Sequence, residues 1–283
     1  MTAGTPTSEG AVALARFIDA HPRLFVLTGA GCSTGSGIPD YRDLDGGWKR
    51  RPPVTLQAFV AEATTRRRYW ARSLVGWRRF GRARPNGTHA ALARLEADGR
   101  VEVLLTQNVD GLHQSAGSRN VIDLHGRLDV VRCLANDHRF GRDGFQVRLR
   151  QANPVWDVSS ARIAPDGDAD LEDIDFSAFN VPACATCGGM LKPDVVFYGE
   201  SVPRETTAAA LAAIEAAGGV LVAGSSLMVW SSFRLVRAAV ARGIEVVAVN
   251  RGRTRGDDLF AFKLDRECGA VLRGVTEALR QRK

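Results

Sequence analysis

No stretch of this chain carries the roughly 18 uninterrupted apolar residues that a membrane-crossing helix needs, so no membrane partner is expected. The first 23 residues lack a long apolar run and include Glu9 and Asp19. That argues against a secretory leader and against an Arg-rich, acid-poor transit segment. Cysteine is scarce: there are five, an odd number, and three of them lie between Cys133 and Cys187. This usage suits metal ligation or packing in a reducing compartment better than a disulfide framework, and it predicts a cytoplasmic location. Internal repeats and low-complexity linkers are absent. No dense basic-aromatic surface motif occurs either, which disfavours a nucleic-acid partner despite a formal net charge of +7. The charge excess fits an anionic cofactor or acidic partner, and equally a plain solubility surface.

What is present is a chain of 283 residues, enough for one large core or a core with a smaller satellite. Short, continuous apolar runs occur at Arg23–Thr28, Val101–Thr106, Gly219–Ala223 and Ile244–Val249, each fitting a parallel strand covered on both faces. Helical patterns lie between them, at Thr88–Ala97, Thr206–Ala217 and Phe233–Arg242. Strands alternating with helices predict an α/β, Rossmann-like doubly wound parallel sheet. The rhythm breaks twice. Residues 130–192 hold a CxxC and an acidic loop, Ala164–Asp175, and predict a small inserted module. Residues 44–85 carry many arginines and aromatics and predict a helical flap over the cleft. The main domain then comprises residues 1–129 and 193–283, and a monomer is expected.

Four clusters fall at predicted strand ends, where such sheets place ligands. The first, TGAGCSTGSGIPDYRD (Thr28–Asp43), is a glycine-rich turn in which Gly29 and Gly31 would let backbone N–H groups approach a pyrophosphate. Thr34 stands where the ordinary dinucleotide fingerprint has its last glycine, and no acidic residue ends the second strand, so a dehydrogenase is disfavoured. Pro39 stiffens the continuation that holds Asp40, Tyr41 and Arg42. The second cluster, TQNVDGLH, sets Gln107, Asn108 and Asp110 on the same edge. The third is His125 in LHG, whose unperturbed pKa of about 6.5 suits a base near neutrality. The fourth comprises GSSL (Gly224, Ser225, Ser226), Asn250 and Arg251 in VNR, and Cys268 near the C-terminus.

With these segments in this order, the chain resembles the sirtuins: GAGCSTGSGIPDYR, TQNVDGLH, LHG, CATCGGMLKPDVVFYGE, GSSLMV and VNRG span Gly29 to Gly252. The pieces RYWAR, APDGD and TRGDDL look most like the class II branch. The resemblance implies a Rossmann-like domain and a zinc-bearing module, with NAD and an acylated lysine of a protein or peptide meeting between them. NAD would be consumed, giving nicotinamide and an acylated ADP-ribose. His125 would be the general base, with Asn108 and Asp110 placing the ribose and the nicotinamide amide. By the same resemblance Gly29, Ala30, Gly31, Ser33, Ile38, Pro39, Asp40, Tyr41, Arg42 and Gln107 would face the cofactor from the first two clusters. Gly224, Ser225, Ser226, Asn250, Arg251 and Cys268 would hold its adenosine half. Val196, Phe197 and Gly199, with Met228 and Val229, would bind the substrate backbone as an added strand. The rival activities are protein mono-ADP-ribosyl transfer and non-catalytic NAD binding.

Two departures and one specificity feature stand out. Relatives carry two CxxC pairs around one zinc, but here the first reads Cys133-Leu134-Ala135-Asn136, leaving Cys133, Cys184 and Cys187. A neutral amide is a poor zinc ligand. The alternatives are three Cys with His138 (or Asp137) as fourth ligand, three Cys with water, or no zinc. Gly35 replaces a frequent glutamate, which loosens its loop. Tyr69 and Arg72 are three apart and, on one helix face, would make a receptor for an acidic acyl group, favouring acidic or bulky acyl-lysines; the alternative is that Arg66, Arg67, Arg68 and Arg72 form a solvated basic face.

Overall fold

The structure is a computed structural model that describes residues 6–49, 53–156, 162–163, 169–170 and 174–281. Much of the acidic loop, at 164–168 and 171–173, lies outside the described residues. Strands β1 (Leu24–Thr28), β2 (Val101–Thr106) and β3 (Val121–Asp123) begin the main sheet. The inserted region contributes β4 (Gly126–Cys133), β5 (Arg139–Gly141), the two-residue strands β6 (Arg162–Ile163) and β7 (Ala169–Asp170), and β8 (Leu191–Val195). The chain returns to the main sheet through β9 (Gly219–Ala223), β10 (Val246–Val249) and β11 (Phe262–Leu264). The order β11-β10-β9-β1-β2-β3 is parallel throughout, the arrangement of a doubly wound fold.

Every residue of β1, β9 and β10 is buried, which is why these segments are apolar without alternation. Side chains still alternate between the faces. Leu24 and Val26 join the core beneath helices Pro6–Ala20, Gly87–Ala97 and Cys268–Arg280, whereas Phe25 and Leu27 join the core beneath Arg204–Ala216 and Trp230–Ala241. Each such side chain contributes roughly 1.5–3 kcal/mol by leaving water. Helix starts are fixed locally. Asn86 accepts from the Thr88 N–H at 2.8 Å while His89 Nδ1 accepts from the Asn86 N–H at 3.2 Å. Glu267 accepts from the N–H groups of Gly269 and Ala270 at the last helix.

β5, β4 and β8 form a small antiparallel sheet. Residues 44–85, expected as a helical flap over the cleft, contain helices Leu56–Ala61 and Ala63–Phe80. Phe59, Tyr69, Trp70 and Leu74 pack with Val131, Phe145, Leu149, Phe179 and Leu191 of the small module. The three-stranded sheet is too small to enclose a core alone, and the aromatic stripe completes it. Arg142, 2% exposed, ties the two together by donating to the Ser73 carbonyl (3.2 Å), the Ser73 hydroxyl (3.1 Å) and Gln146 Oε1 (2.6 Å). The far end of the long helix, at Trp77 and Phe80, reaches a separate cluster with Ile38, Leu112 and Leu128.

Candidate active site

In the main sheet the connections reverse direction between β1 and β9, and this switch point is where a doubly wound sheet opens its crevice. The loops leaving the two strands cross there in close contact. Gly29 N–H donates to the Ala223 carbonyl at 3.2 Å and Gly31 N–H to the Gly224 carbonyl at 2.9 Å. A Cβ on Gly31 would stand 2.9 Å from Gly224 Cα, and one on Gly224, at φ +60°, would stand 2.5 Å from the Cys32 nitrogen. The glycines are therefore required by the crossing. Their own N–H groups are donated across the crossing, so an N–H offered to a pyrophosphate would come from other residues of the turn.

The crevice is a cavity of about 870 Å³. Gly29, Ala30, Gly31, Asp40, Tyr41, Arg42, Gln107, Asn108, His125, Gly224, Ser225, Ser226, Asn250, Arg251 and Cys268 line it, from segments far apart in sequence. So do Tyr69, Val196, Phe197, Gly199, Met228 and Val229. Ser33, Ile38, Pro39, Asp110 and Arg72 do not line it. Ile38 is buried against Phe80, Leu112 and Leu128, because the chain turns inward there. Asp110 faces backward, accepting from the Ser33 hydroxyl at 2.7 Å and the Leu112 N–H at 2.9 Å.

That arrangement fixes Asn108. Its Nδ2 donates to the Gly29 carbonyl and to the Ser33 hydroxyl, both at 3.0 Å. A carbonyl can only accept, so the amide nitrogen is assigned, and the amide oxygen is left toward the cavity. Gln107 bridges the loops after β2 and β9, donating to the Thr28 carbonyl at 3.2 Å and the Ser225 hydroxyl at 2.7 Å. Behind them, His113 Nε2 lies 3.0 Å from the Thr28 hydroxyl, and burial, with His89 adding to it, pushes His113 down to about 3.

His125 faces the cavity just beyond β3. Its Nδ1 is 3.1 Å from the Gln107 carbonyl, so Nδ1 carries the hydrogen and Nε2 keeps a lone pair. That lone pair accepts from the Ser231 hydroxyl at 2.8 Å. Burial lowers the ring's pKa to about 4, against the Gln107 carbonyl, which raises it. The imidazole is thus a neutral acceptor at neutral pH. Ser231 escaped the sequence reading, because nothing local in WSSF separates it from Ser232, whose hydroxyl donates to the Val229 carbonyl.

Val195–Gly199 lines the cavity, as do Met228 and Val229. Many main-chain groups of Val195–Gly199 are already bonded. Val196 N–H donates to the His125 carbonyl, Phe197 N–H to Glu200, and the carbonyls of Phe197, Tyr198 and Gly199 accept from Glu200, Leu56 and Gln57. The Phe197 ring points into the small-module core. Among the described residues, no hydrogen bond occupies the Gly199 N–H, the Val196 carbonyl or the N–H groups of Met228 and Val229. Lys192, 2% exposed, braces this segment through a 3.0 Å ion pair with Glu200.

Away from the cavity, donor atoms of Cys133, His138, Cys184 and Cys187 all lie within 4.8 Å of one another. Cys133 and Cys187 sulfurs are 3.5 Å apart, as are Cys184 Sγ and His138 Nδ1. Tetrahedral zinc with Cys and His ligands has ligand–ligand edges of about 3.5–3.8 Å, so the donor set fits that ion. The chain brings His138 round through Asp137 at φ +55°, with Cys133 N–H donating to the His138 carbonyl at 2.8 Å. Asp137 itself turns outward to Arg132 at 2.7 Å and Arg139 at 2.9 Å. Asn136 is hydrogen-bonded to Cys187, the leading cause of that thiol's lowered pKa. The position expected for a fourth cysteine therefore supports a ligand, and His138 takes its place in the cluster.

A family model described as the Sir2 family matches residues 29–231. An NAD-dependent protein deacetylase of Xanthomonas campestris pv. campestris (strain 8004) is 62% identical over 260 residues, covering 92% of this chain and 89% of that protein. NAD-dependent protein deacetylase 2 of Bradyrhizobium diazoefficiens is 62% identical over 256 residues, covering 90% and 94%. Among solved structures, one of Sir2 with a p53 peptide and NAD+ has 28% identity and a TM-score of 0.74, covering 94% of this chain and 96% of that one. A Sir2 enzyme solved for its mechanism and regulation has 28% identity and a TM-score of 0.77, covering 98% and 100%.

Proposed function

The chain belongs to the Sir2 family, and from that premise we propose that it is an NAD-consuming protein-lysine deacylase, releasing nicotinamide and forming O-acyl-ADP-ribose. The observation that carries this reading is the convergence of a neutral imidazole lone pair (His125) and an oriented amide oxygen (Asn108) on one cavity at the switch point. In the proposed reaction the acyl oxygen attacks the nicotinamide ribose as nicotinamide leaves. His125 Nε2 then takes the proton of a ribose hydroxyl, which attacks the imidate. General-base assistance of this type contributes roughly 10²–10⁴-fold. Asp110 acts from behind, through Ser33, by holding Asn108.

The acyl-lysine peptide would add as a strand between Val196–Gly199 and Met228–Val229, using the main-chain groups left open there. Tyr69 lines the cavity and Arg72, half-buried, follows it by three residues in the same helix, so the pair is kept as the proposed receptor for an acidic acyl group. We place structural zinc on Cys133, His138, Cys184 and Cys187; when bound, it supplies a cross-link between the two ends of the inserted region. Three clustered thiols of this type suit a reducing compartment, supporting a cytoplasmic location. Among the described residues no helix is long and apolar enough to cross a membrane. We take residues 1–129 with 193–283 as the dinucleotide-binding unit and 130–192 as the small module, to whose core helix Ala63–Phe80 is added.

The test is nicotinamide release from NAD with and without an acylated peptide, for the wild type and His125→Ala. Peptide-dependent release that the variant loses is the expected result. Release independent of peptide, with adenine label transferred to protein, would replace deacylation by ADP-ribosyl transfer.

A further inference from the structure

We propose that Ser231 is a positioning residue for His125: its hydroxyl holds the imidazole toward the cavity with Nε2 unprotonated, and yields that nitrogen to a ribose hydroxyl when the co-substrate enters. The proposal rests on the deacylase reading above.

The geometry is specific. His125 is gripped at both nitrogens, by the Gln107 carbonyl at Nδ1 (3.1 Å) and the Ser231 hydroxyl at Nε2 (2.8 Å). The first contact compels Nδ1 to donate, and so the second compels Nε2 to accept. Ring flips are suppressed because a flipped ring would set carbon atoms against both partners. The two grips come from different elements, the loop after β2 and the first turn of helix Trp230–Ala241. Both Ser231 and His125 line the cavity, so the hydroxyl occupies the approach that a substrate hydroxyl must use.

Charged groups on the surrounding elements are engaged elsewhere. Asp123 lies with Gln114 and Arg127, Glu200 with Lys192, and Arg234 donates to the Thr207 hydroxyl at 2.8 Å. The ring's protonation is thus governed by burial and its two hydrogen bonds. On co-substrate binding, one O–H···N bond replaces another as Ser231 rotates. In the reaction the ribose O–H bond breaks and an Nε2–H bond forms, while the serine keeps its own proton.

A hydroxyl donating to Nε2 favours the neutral ring, so its removal raises the pKa of His125. The test compares wild type, Ser231→Ala, Ser231→Thr and Ser231→Cys by nitrogen NMR of His125 in the free protein and by the pH profile of kcat/KM. In Ser231→Ala, titration of His125 and the acid limb should both move up by about half to one pH unit, the size of one net hydrogen bond. The Nδ1–H tautomer should become less populated, and kcat should fall more than KM rises. Ser231→Thr should restore wild-type titration, and the near-isosteric Ser231→Cys, a weaker donor, should fall between. Unchanged titration and tautomer in both Ser231→Ala and Ser231→Cys overturn the proposal while leaving His125 as base. Full deacylation by His125→Ala overturns the reading beneath it.

Discussion

The crossing of the two glycine loops can be tested by adding single methyl groups. Gly224 combines two constraints: a left-handed backbone, at φ +60°, and a Cβ position 2.5 Å from the Cys32 nitrogen. Gly99 has the first constraint alone, at φ +72° with nothing within 4 Å. Gly31 has the second alone, with a Cβ position 2.9 Å from Gly224 Cα. A left-handed alanine costs about 1–2 kcal/mol, and forced overlap with backbone about 1–3 kcal/mol. Gly99→Ala should therefore lose about 1–2 kcal/mol and Gly31→Ala about 1–3 kcal/mol. Gly224→Ala should lose about 2–5 kcal/mol, the sum of the two effects. Urea denaturation of the three variants gives the comparison, and NAD binding by calorimetry gives a second reading. Only Gly31→Ala and Gly224→Ala should weaken binding, since Gly99 lies outside the cavity lining. If Gly224→Ala proves no less stable than Gly99→Ala, the close crossing is not what demands glycine.

Other perturbations follow the same physics. His138→Ala should weaken zinc retention against a competing chelator by more than about 100-fold, beyond the 10–100-fold typical of a supporting residue, whereas His138→Cys should retain it. One zinc per chain held equally well by His138→Ala would refute the four-donor set. His113 and His125 have pKa values lowered to about 3 and about 4 by burial, so the folded protein binds fewer protons than the unfolded chain. Their full contribution is present above about pH 6.5 and is lost as pH falls toward 4 and 3, at about 3 kcal/mol each by pH 4. Stability that is flat from pH 7 to pH 4.5 would contradict this. Glu200→Ala leaves the buried Lys192 ammonium with the Val195 carbonyl but no counter-charge and should cost about 2–4 kcal/mol, while Lys192→Met, which leaves only the half-buried carboxylate, should cost less. Equal urea midpoints for the two variants would count against that asymmetry.

The central strands were legible because each is buried on both faces and so reads as an apolar run, and the sequence-based bounds for β2 and β9 coincide with the structure. β3 and β11 were not, being three-residue, half-buried strands too short to show a period. Strand ends led correctly to the cavity, since topology dictates where it opens. Depth within the loops was invisible: Ser33, Ile38 and Asp110 share the motifs of lining residues yet point inward. The His138 contribution depends on a left-handed turn at Asp137, which spacing alone does not announce. The Ser231–His125 contact joins residues 106 apart, and no local pattern encodes it.

Helix Ala63–Phe80 has one end among the aromatics of the small module and the other against Ile38, Leu112 and Leu128. It spans from the cysteine-bearing region to the wall behind the glycine-rich turn. Extracting the metal should thus be felt as altered dinucleotide affinity, although no proposed ligand of the ion touches the crevice.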